Sequence, residues 1–118
     1  MSIINAKELQ WPAEIPYDAK DALQDLGRNL RTARLRRNMT LEDVSSRIGI
    51  HRETLASAEK GNPAVTIGTY VAALSVLGLL SGLSHLADPN ADREGLALES
   101  HSARERARRS GGGMSNDF

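Results

Sequence analysis

The sequence predicts an all-α chain of five short helices. Three observations predict it. Aromatic residues are only 3% of the 118 residues. The core must therefore be built from Leu, Ile, Val and Ala, which suits a small helical bundle better than a β-sandwich. Apolar residues also recur at helical spacing through the central part of the chain. Gly, Pro and Asn fall mostly between those periodic stretches, where they stop helices. A chain of this length predicts one domain, here over residues 21–90. An N-terminal arm (1–20) precedes it and a flexible Arg- and Gly-rich tail (91–118) follows.

Composition excludes several classes. The chain has no cysteine, so disulfides and thiolate zinc sites are ruled out. The opening MSIINAKELQWP lacks a basic stretch followed by a long apolar run, and no signal peptide is expected. Val71 to Leu80 is the most apolar window, but Ser75 and Gly78 break it and it is too short to span a bilayer. The expected place is the cytoplasm. Net charge is zero, yet charge is unevenly spread. Leu23 to Gly61 carries eight basic and five acidic residues, whereas Asp88 to Glu99 carries four acidic residues against Arg93. A basic segment on a neutral chain can hold phosphate. The bland alternative is a solvated helix face.

In chain order, Pro12 and Pro16 break any period in the N-terminal arm, where Ser2 to Asn5 could form a short extended piece. Trp11 either folds over the domain surface or anchors a partner. Asp18 or Asp21 caps the first helix. Leu23, Leu26, Leu30 and Ala33 give it an apolar stripe. Arg28, Arg31, Arg36 and Arg37 lie mostly off that stripe. Arg34 sits at its border, and a buried arginine needs a carboxylate partner. Asn38 ends the helix, and Met39 returns to the core.

Thr40 to Gly61, TLEDVSSRIGIHRETLASAEKG, reads as two short helices joined by a tight turn. Thr40 caps the first, with Asp43 closing a capping box. Val44 and Ile48 share its inner face. Gly49 ends it where positive φ is wanted, and Ile50 plugs the turn. The second helix runs from His51 to Lys60, with Leu55 and Ala58 inward, until Gly61. Ser45, Ala56 and Ser57 are small enough to let two helices cross closely. This is the arrangement of a helix-turn-helix, which sets its second helix in a DNA groove.

Thr66 caps a fourth helix, Ile67 to Leu77, with Ile67, Val71, Leu74 and Leu77 inward. A fifth, Leu79 to Leu86, carries Leu79, Leu80, Leu83 and Leu86 and stops before Asp88-Pro89. Thr66 to Ala87 holds no Asp, Glu, Lys or Arg. Such a stretch faces the core, a dimer partner or another protein. Gly95-Leu96-Ala97-Leu98 alternates weakly and could add a short strand at a dimer interface. From Ser100 the Arg, Ser and Gly content predicts disorder.

No nucleotide-binding glycine loop is present. His51, His85 and His101 lie in different elements, none spaced as a metal ligand. No nucleophile–base arrangement is visible. An enzyme, a metal and a cofactor are therefore not expected.

LGRNLRTARLRRNMTLEDVSSRIGIHRETLASAEKG resembles the Cro/C1-type (Xre) helix-turn-helix family. The resemblance rests on Leu30, Arg34, Thr40, Val44, Gly49, Ile50, Thr54, Leu55, Glu59 and Gly61. It departs at Leu41, where the family has a Gln that bonds phosphate and the recognition helix. His51 also replaces the usual Ser. The continuation GNPAVTIGTYVAALSVLGLLSGLSHLADPNADREGLAL is similar to that of HipB-type antitoxins.

The resemblance implies a homodimer that binds double-stranded operator DNA at an inverted repeat and represses its own operon. It also implies a HipA-type serine/threonine kinase as partner. Alternatives are a stand-alone Xre regulator and a kinase-binding scaffold with weak DNA binding. By resemblance, Arg52, Glu53 and Ser57 take the base-reading positions. Arg can fork onto guanine O6 and N7, and Glu can accept from cytosine N4. Arg28, Thr40, His51, Thr54 and Lys60 are the candidate contacts to the DNA backbone. Arg34 and Glu59 occupy the positions of a structural ion pair.

Overall fold

The structure is a computed structural model, and it describes residues 15–111. The expectations for Ser2 to Asn5, Trp11 and the last residues fall outside that range. Among the described residues every element is helical: α1 (Tyr17–Arg36), α2 (Leu41–Ile48), α3 (Arg52–Glu59), α4 (Ile67–Val76), a 3-10 helix (Leu80–His85) and α5 (Arg93–Gly111). The described residues form two compact units that divide between Ser81 and Gly82.

In the first unit, α3 packs against α1, α2 and α4, and α2 also packs against α4. Leu30, Ala33, Val44, Leu55, Ala58, Tyr70, Ala73 and Leu77 are buried together as its core. Helix α1 starts before either aspartate expected to cap it. Pro16 is its N-cap at φ −54°, a value the pyrrolidine ring already fixes near the helical one. The Asp18 carboxylate instead accepts from the Ala19 N–H at 2.8 Å.

The chain turns between helices by one repeated device. After α1, α2, α3 and α4, a residue two or three past the helix donates its N–H back across the helix end, five residues along the chain. These bonds run from Met39 to Arg34 O, Ile50 to Ser45 O, Asn62 to Ser57 O and Leu79 to Leu74 O. Such closure needs a left-handed residue between. Asn38 supplies it after α1 at φ 53°, where a short polar side chain tolerates the conformation. Gly61 supplies it after α3 at φ 75°.

Thr40 caps α2 in a complete box. Its hydroxyl accepts from the Asp43 N–H at 3.0 Å, and its own N–H donates to Asp43 Oδ2 at 2.8 Å. The Thr40 backbone N–H, and after it the Thr40 side chain, hold the Asp43 carboxyl below its ordinary pKa, with the Arg47 charge adding to them. A carboxyl depressed by folding stabilises above its unfolded value near 4. That stabilisation disappears as pH falls through the folded value. The unfolding temperature, followed from about pH 6 to about pH 3, should fall less steeply in Asp43→Asn than in the native chain. An identical slope would contradict the box's role.

Helix α4 is turned relative to the expected face. Tyr70, Ala73 and Leu77 are its buried positions. Val71 and Leu74 are half-buried, and Ile67 is 69% exposed. The Tyr70 ring fixes this phase, since its hydroxyl donates to Asn62 O at 2.8 Å. Burial raises the Tyr70 pKa.

The expected fifth α-helix is the 3-10 helix, one residue shorter at each end. Leu79, Leu80 and Leu86 are exposed, not inward. A 3-10 helix has three residues per turn and cannot keep the 3.6-residue stripe that would bury them.

The second unit holds α5. The predicted strand at Gly95 to Leu98 is helical instead, and the helix continues to Gly111 through residues expected to be disordered. Asp92 Oδ1 accepts the Gly95 N–H at 2.9 Å at the start of α5. Glu94 lies in the first turn, and Arg108 and Arg109 lie in the last. These charges complement the helix dipole, so local electrostatics favour helix where composition alone argues for coil.

Candidate nucleic-acid interface

The candidate reading surface is the outer side of α3. At about 100° per residue, Arg52, Glu53, Ala56, Ser57 and Lys60 share one side of this helix. Leu55, Ala58 and Glu59 share the other and are buried. Arg52, Glu53 and Lys60 are exposed, while Ala56 and Ser57 are half-buried. The three residues with expected base contacts are thus brought to one face. Thr54 lies at its flank and is half-buried, with its N–H donating to His51 O at 3.0 Å.

His51 is the exposed N-cap residue of α3, in extended conformation with no side-chain capping bond. The first backbone N–H groups of α3 therefore have no side chain covering them. A helix start of this kind favours anions.

A groove of about 740 Å³ runs beside Arg52, Glu53 and Ala56, with Thr40, Leu41 and Glu42 on its other wall. The start of α2 and the start of α3 therefore border one concavity. Leu41 presents an aliphatic wall there and can make no hydrogen bond to phosphate or to Arg52. The side chains of Arg52 and Glu53 make no hydrogen bond or ion pair with another described residue. Both are free to meet a ligand.

Other sequence-expected residues are placed differently. The Thr40 N–H and hydroxyl are both engaged with Asp43. The free amides at the start of α2 are instead those of Leu41 and Glu42, which a helix cannot satisfy internally. Arg28 projects from α1 and pairs with Asp25, three residues earlier. This exposed pairing is weak and can be exchanged for a phosphate. Lys60 lies eight residues after Arg52, about 12 Å along the helix axis.

Arg34 and Glu59 are not part of this surface. Arg34 Nε donates to Glu59 Oε2 at 2.7 Å, and Arg34 Nη2 donates to Glu59 Oε1 at 2.9 Å. Arg34 Nη1 donates to Met39 O at 2.9 Å. The two residues are only 6% and 8% exposed. The fork to Glu59 pushes the Arg34 pKa up, against a smaller opposing effect of burial. This pair ties α1 to the end of α3, and so holds α3 at its angle to α1.

Two residues here had other roles, or none, in the sequence reading. Ala56 was assigned to helix crossing but lies amid the outward side of α3. Counting four residues on from Arg52 would have found it. Gly27 was assigned nothing. It is buried in α1, and a Cβ built on it would lie 2.6 Å from Glu59 O and 2.7 Å from Ala58 O. Only a three-dimensional contact reveals that role.

A family model described as a helix-turn-helix domain matches residues 25–86. Comparisons with curated proteins and with solved structures return no match. No helix among the described residues is long and apolar enough to cross a membrane. The match spans more than half of the chain and takes in the later part of α1, all of α2 to α4 with their connecting turns, and the 3-10 helix. This chain belongs to the helix-turn-helix domain family, in its Xre/Cro-like type, and is by that membership a DNA-binding regulator.

Proposed function

We propose that the chain is a sequence-specific transcriptional repressor that binds operator DNA as a homodimer and acts on its own operon. The observation that carries this reading is the outward pair Arg52 and Glu53 at the open start of α3, exposed and without side-chain partners among the described residues. An arginine at that position can fork onto a guanine, and a glutamate can accept from a cytosine amino group. Two such helices related by a two-fold axis would read half-sites about one helical turn apart. The operator is then an inverted repeat.

The test is titration of the DNA upstream of the gene, and of unrelated duplex, with the native chain and with Arg52→Ala. The native chain should prefer the upstream sequence. Arg52→Ala should lose about 1–3 kcal/mol of that preference per subunit, with binding to unrelated duplex little changed. A preference that survives the substitution would sink the assignment.

The finer reading is an antitoxin that also binds a HipA-type kinase. It is supported by the resemblance of the chain after Gly61 and by the exposure of Ile67, Leu79, Leu80 and Leu86 in a stretch without Asp, Glu, Lys or Arg. A kinase-like open reading frame beside this gene, and a stable complex purified after co-expression with it, would support this reading. The absence of such a frame would favour a stand-alone regulator. Leu41 favours a third reading, a kinase-binding scaffold with weak DNA binding, since one expected phosphate contact is missing there. Operator binding no tighter than binding to unrelated duplex would decide for it.

A further inference from the structure

We infer that the C-terminal half of α5 is a second, sequence-independent contact to duplex DNA. The inference rests on the DNA-binding reading above and adds a surface to it. Four of the six residues from Arg104 to Arg109 are arginine, against one acid, Glu105. The preceding half of the same helix is different, with Glu94 and Glu99 against Arg93. Positive charge is thus concentrated at one end of a 19-residue helix.

Helical spacing arranges these charges on two ridges. Arg104 and Arg108 are four residues apart and share one side. Arg106 and Arg109 are three apart and share another. All four are exposed. Their internal bonds are few and replaceable. Arg104 Nη1 donates to Ser100 Oγ at 2.9 Å, and Arg108 Nη2 donates to Glu105 Oε2 at 2.6 Å. Both are exposed surface bonds of small net worth. Arg106 and Arg109 border a shallow concavity with His101, Ser102 and Glu105, where two guanidiniums and a hydroxyl stand beside one carboxylate, itself paired with Arg108.

The apolar residues of this helix do not explain it. None of the α5 residues 93–110 is buried, and Leu96 and Leu98 are 47% and 59% exposed. A helix that buries so little is held by charge pairs and by its dipole. What it offers a partner is guanidinium groups, whose fork geometry matches phosphate. Duplex DNA is the polyanion that a helix-turn-helix chain already brings close. Tethering alone then raises the local concentration of the helix at the DNA. Phosphate contacts of this kind add affinity without sequence preference.

The experiment uses the full chain and a variant with Arg104→Gln, Arg106→Gln, Arg108→Gln and Arg109→Gln. Binding to upstream DNA and to unrelated duplex is measured over a range of salt. Each lost phosphate contact lowers the salt slope by about one, so the variant's slope should fall by about 2–3. Affinity at low salt should fall roughly tenfold to a hundredfold, equally for both duplexes, and the upstream preference should stay. A matching variant with Lys at all four positions should retain most of the slope, which separates charge from helix integrity. An unchanged slope and affinity in the Gln variant, with upstream preference intact, overturns the arm while leaving α3 as the reader. Loss of binding to an acidic protein partner instead of DNA also overturns it. If the native chain binds neither duplex, the arm and the DNA-binding reading fall together.

Discussion

Glu59→Ala should destabilise the first unit by about 3–5 kcal/mol, the cost of removing one partner from a buried ion pair. The loss falls on Arg34. Its Nε and Nη2 donors would have no acceptor inside the protein, and only its bond to Met39 O would remain. A small domain has about 5–15 kcal/mol of total stability, so much of it would go. The unfolding temperature should drop by more than about 10 °C. DNA preference should weaken too, because the end of α3 loses its tie to α1. Replacing both partners by apolar residues, Arg34→Met with Glu59→Leu, should restore most of the stability, since neither charge is then stranded. A single Glu59→Ala that melts like the native chain would show that the pair contributes nothing.

Gly27→Ala should be destabilising by about 1–3 kcal/mol, the range for forcing extra atoms into a packed contact. The new methyl would lie within 2.8 Å of three backbone atoms at the end of α3. Backbone cannot swing aside as a side chain can, so α1 and α3 must separate. Gly61 makes a second contact of the same kind, where a Cβ would lie 2.5 Å from Gln24 Cα. Helix propensity works the other way, favouring Ala over Gly by up to about 1 kcal/mol. Gly68 in α4 is the control, because a Cβ there meets only Thr66 Oγ1, at 3.8 Å. Gly68→Ala should be neutral or slightly stabilising. Thermal unfolding of the two variants side by side checks the contrast, and equal effects would refute the close approach at Gly27.

The reading of α2 and α3 was legible in the sequence because its determinants are local. Thr40 and Asp43 lie three residues apart, and their box depends on little else. Gly49 and Gly61 mark ends that the backbone itself demands. Arg34 drew attention because a charge at the border of an apolar stripe must be answered.

The unread parts depend on distant contacts. Nothing near Tyr70 in sequence shows that Asn62 O is its acceptor, so the phase of α4 was taken from its aliphatic residues and Ile67 was placed inside. Gly27 looked like any helix glycine until the carbonyls of α3 lay over it. Leu79, Leu80 and Leu86 fit an α-helical stripe, and only the 3-10 geometry between them leaves them exposed. In α5 the Arg-rich composition argued for coil, while the arrangement of charge along the segment suits a helix. Order along the chain decided that case where content did not.

The central claim is that Arg52 reads a guanine from the outer side of α3. Methylation interference on the bound operator tests it most directly. Methyl groups placed on guanine N7 block the atom that Arg52 would share with O6. In the native chain, methylation of one guanine per half-site should prevent binding, with the two positions related by the inverted repeat. In Arg52→Ala, tested at concentrations where it still binds, those two guanines should no longer interfere while other contacts persist. If the same guanines block both proteins equally, Arg52 is not the residue that reads them and the assignment of α3 is wrong.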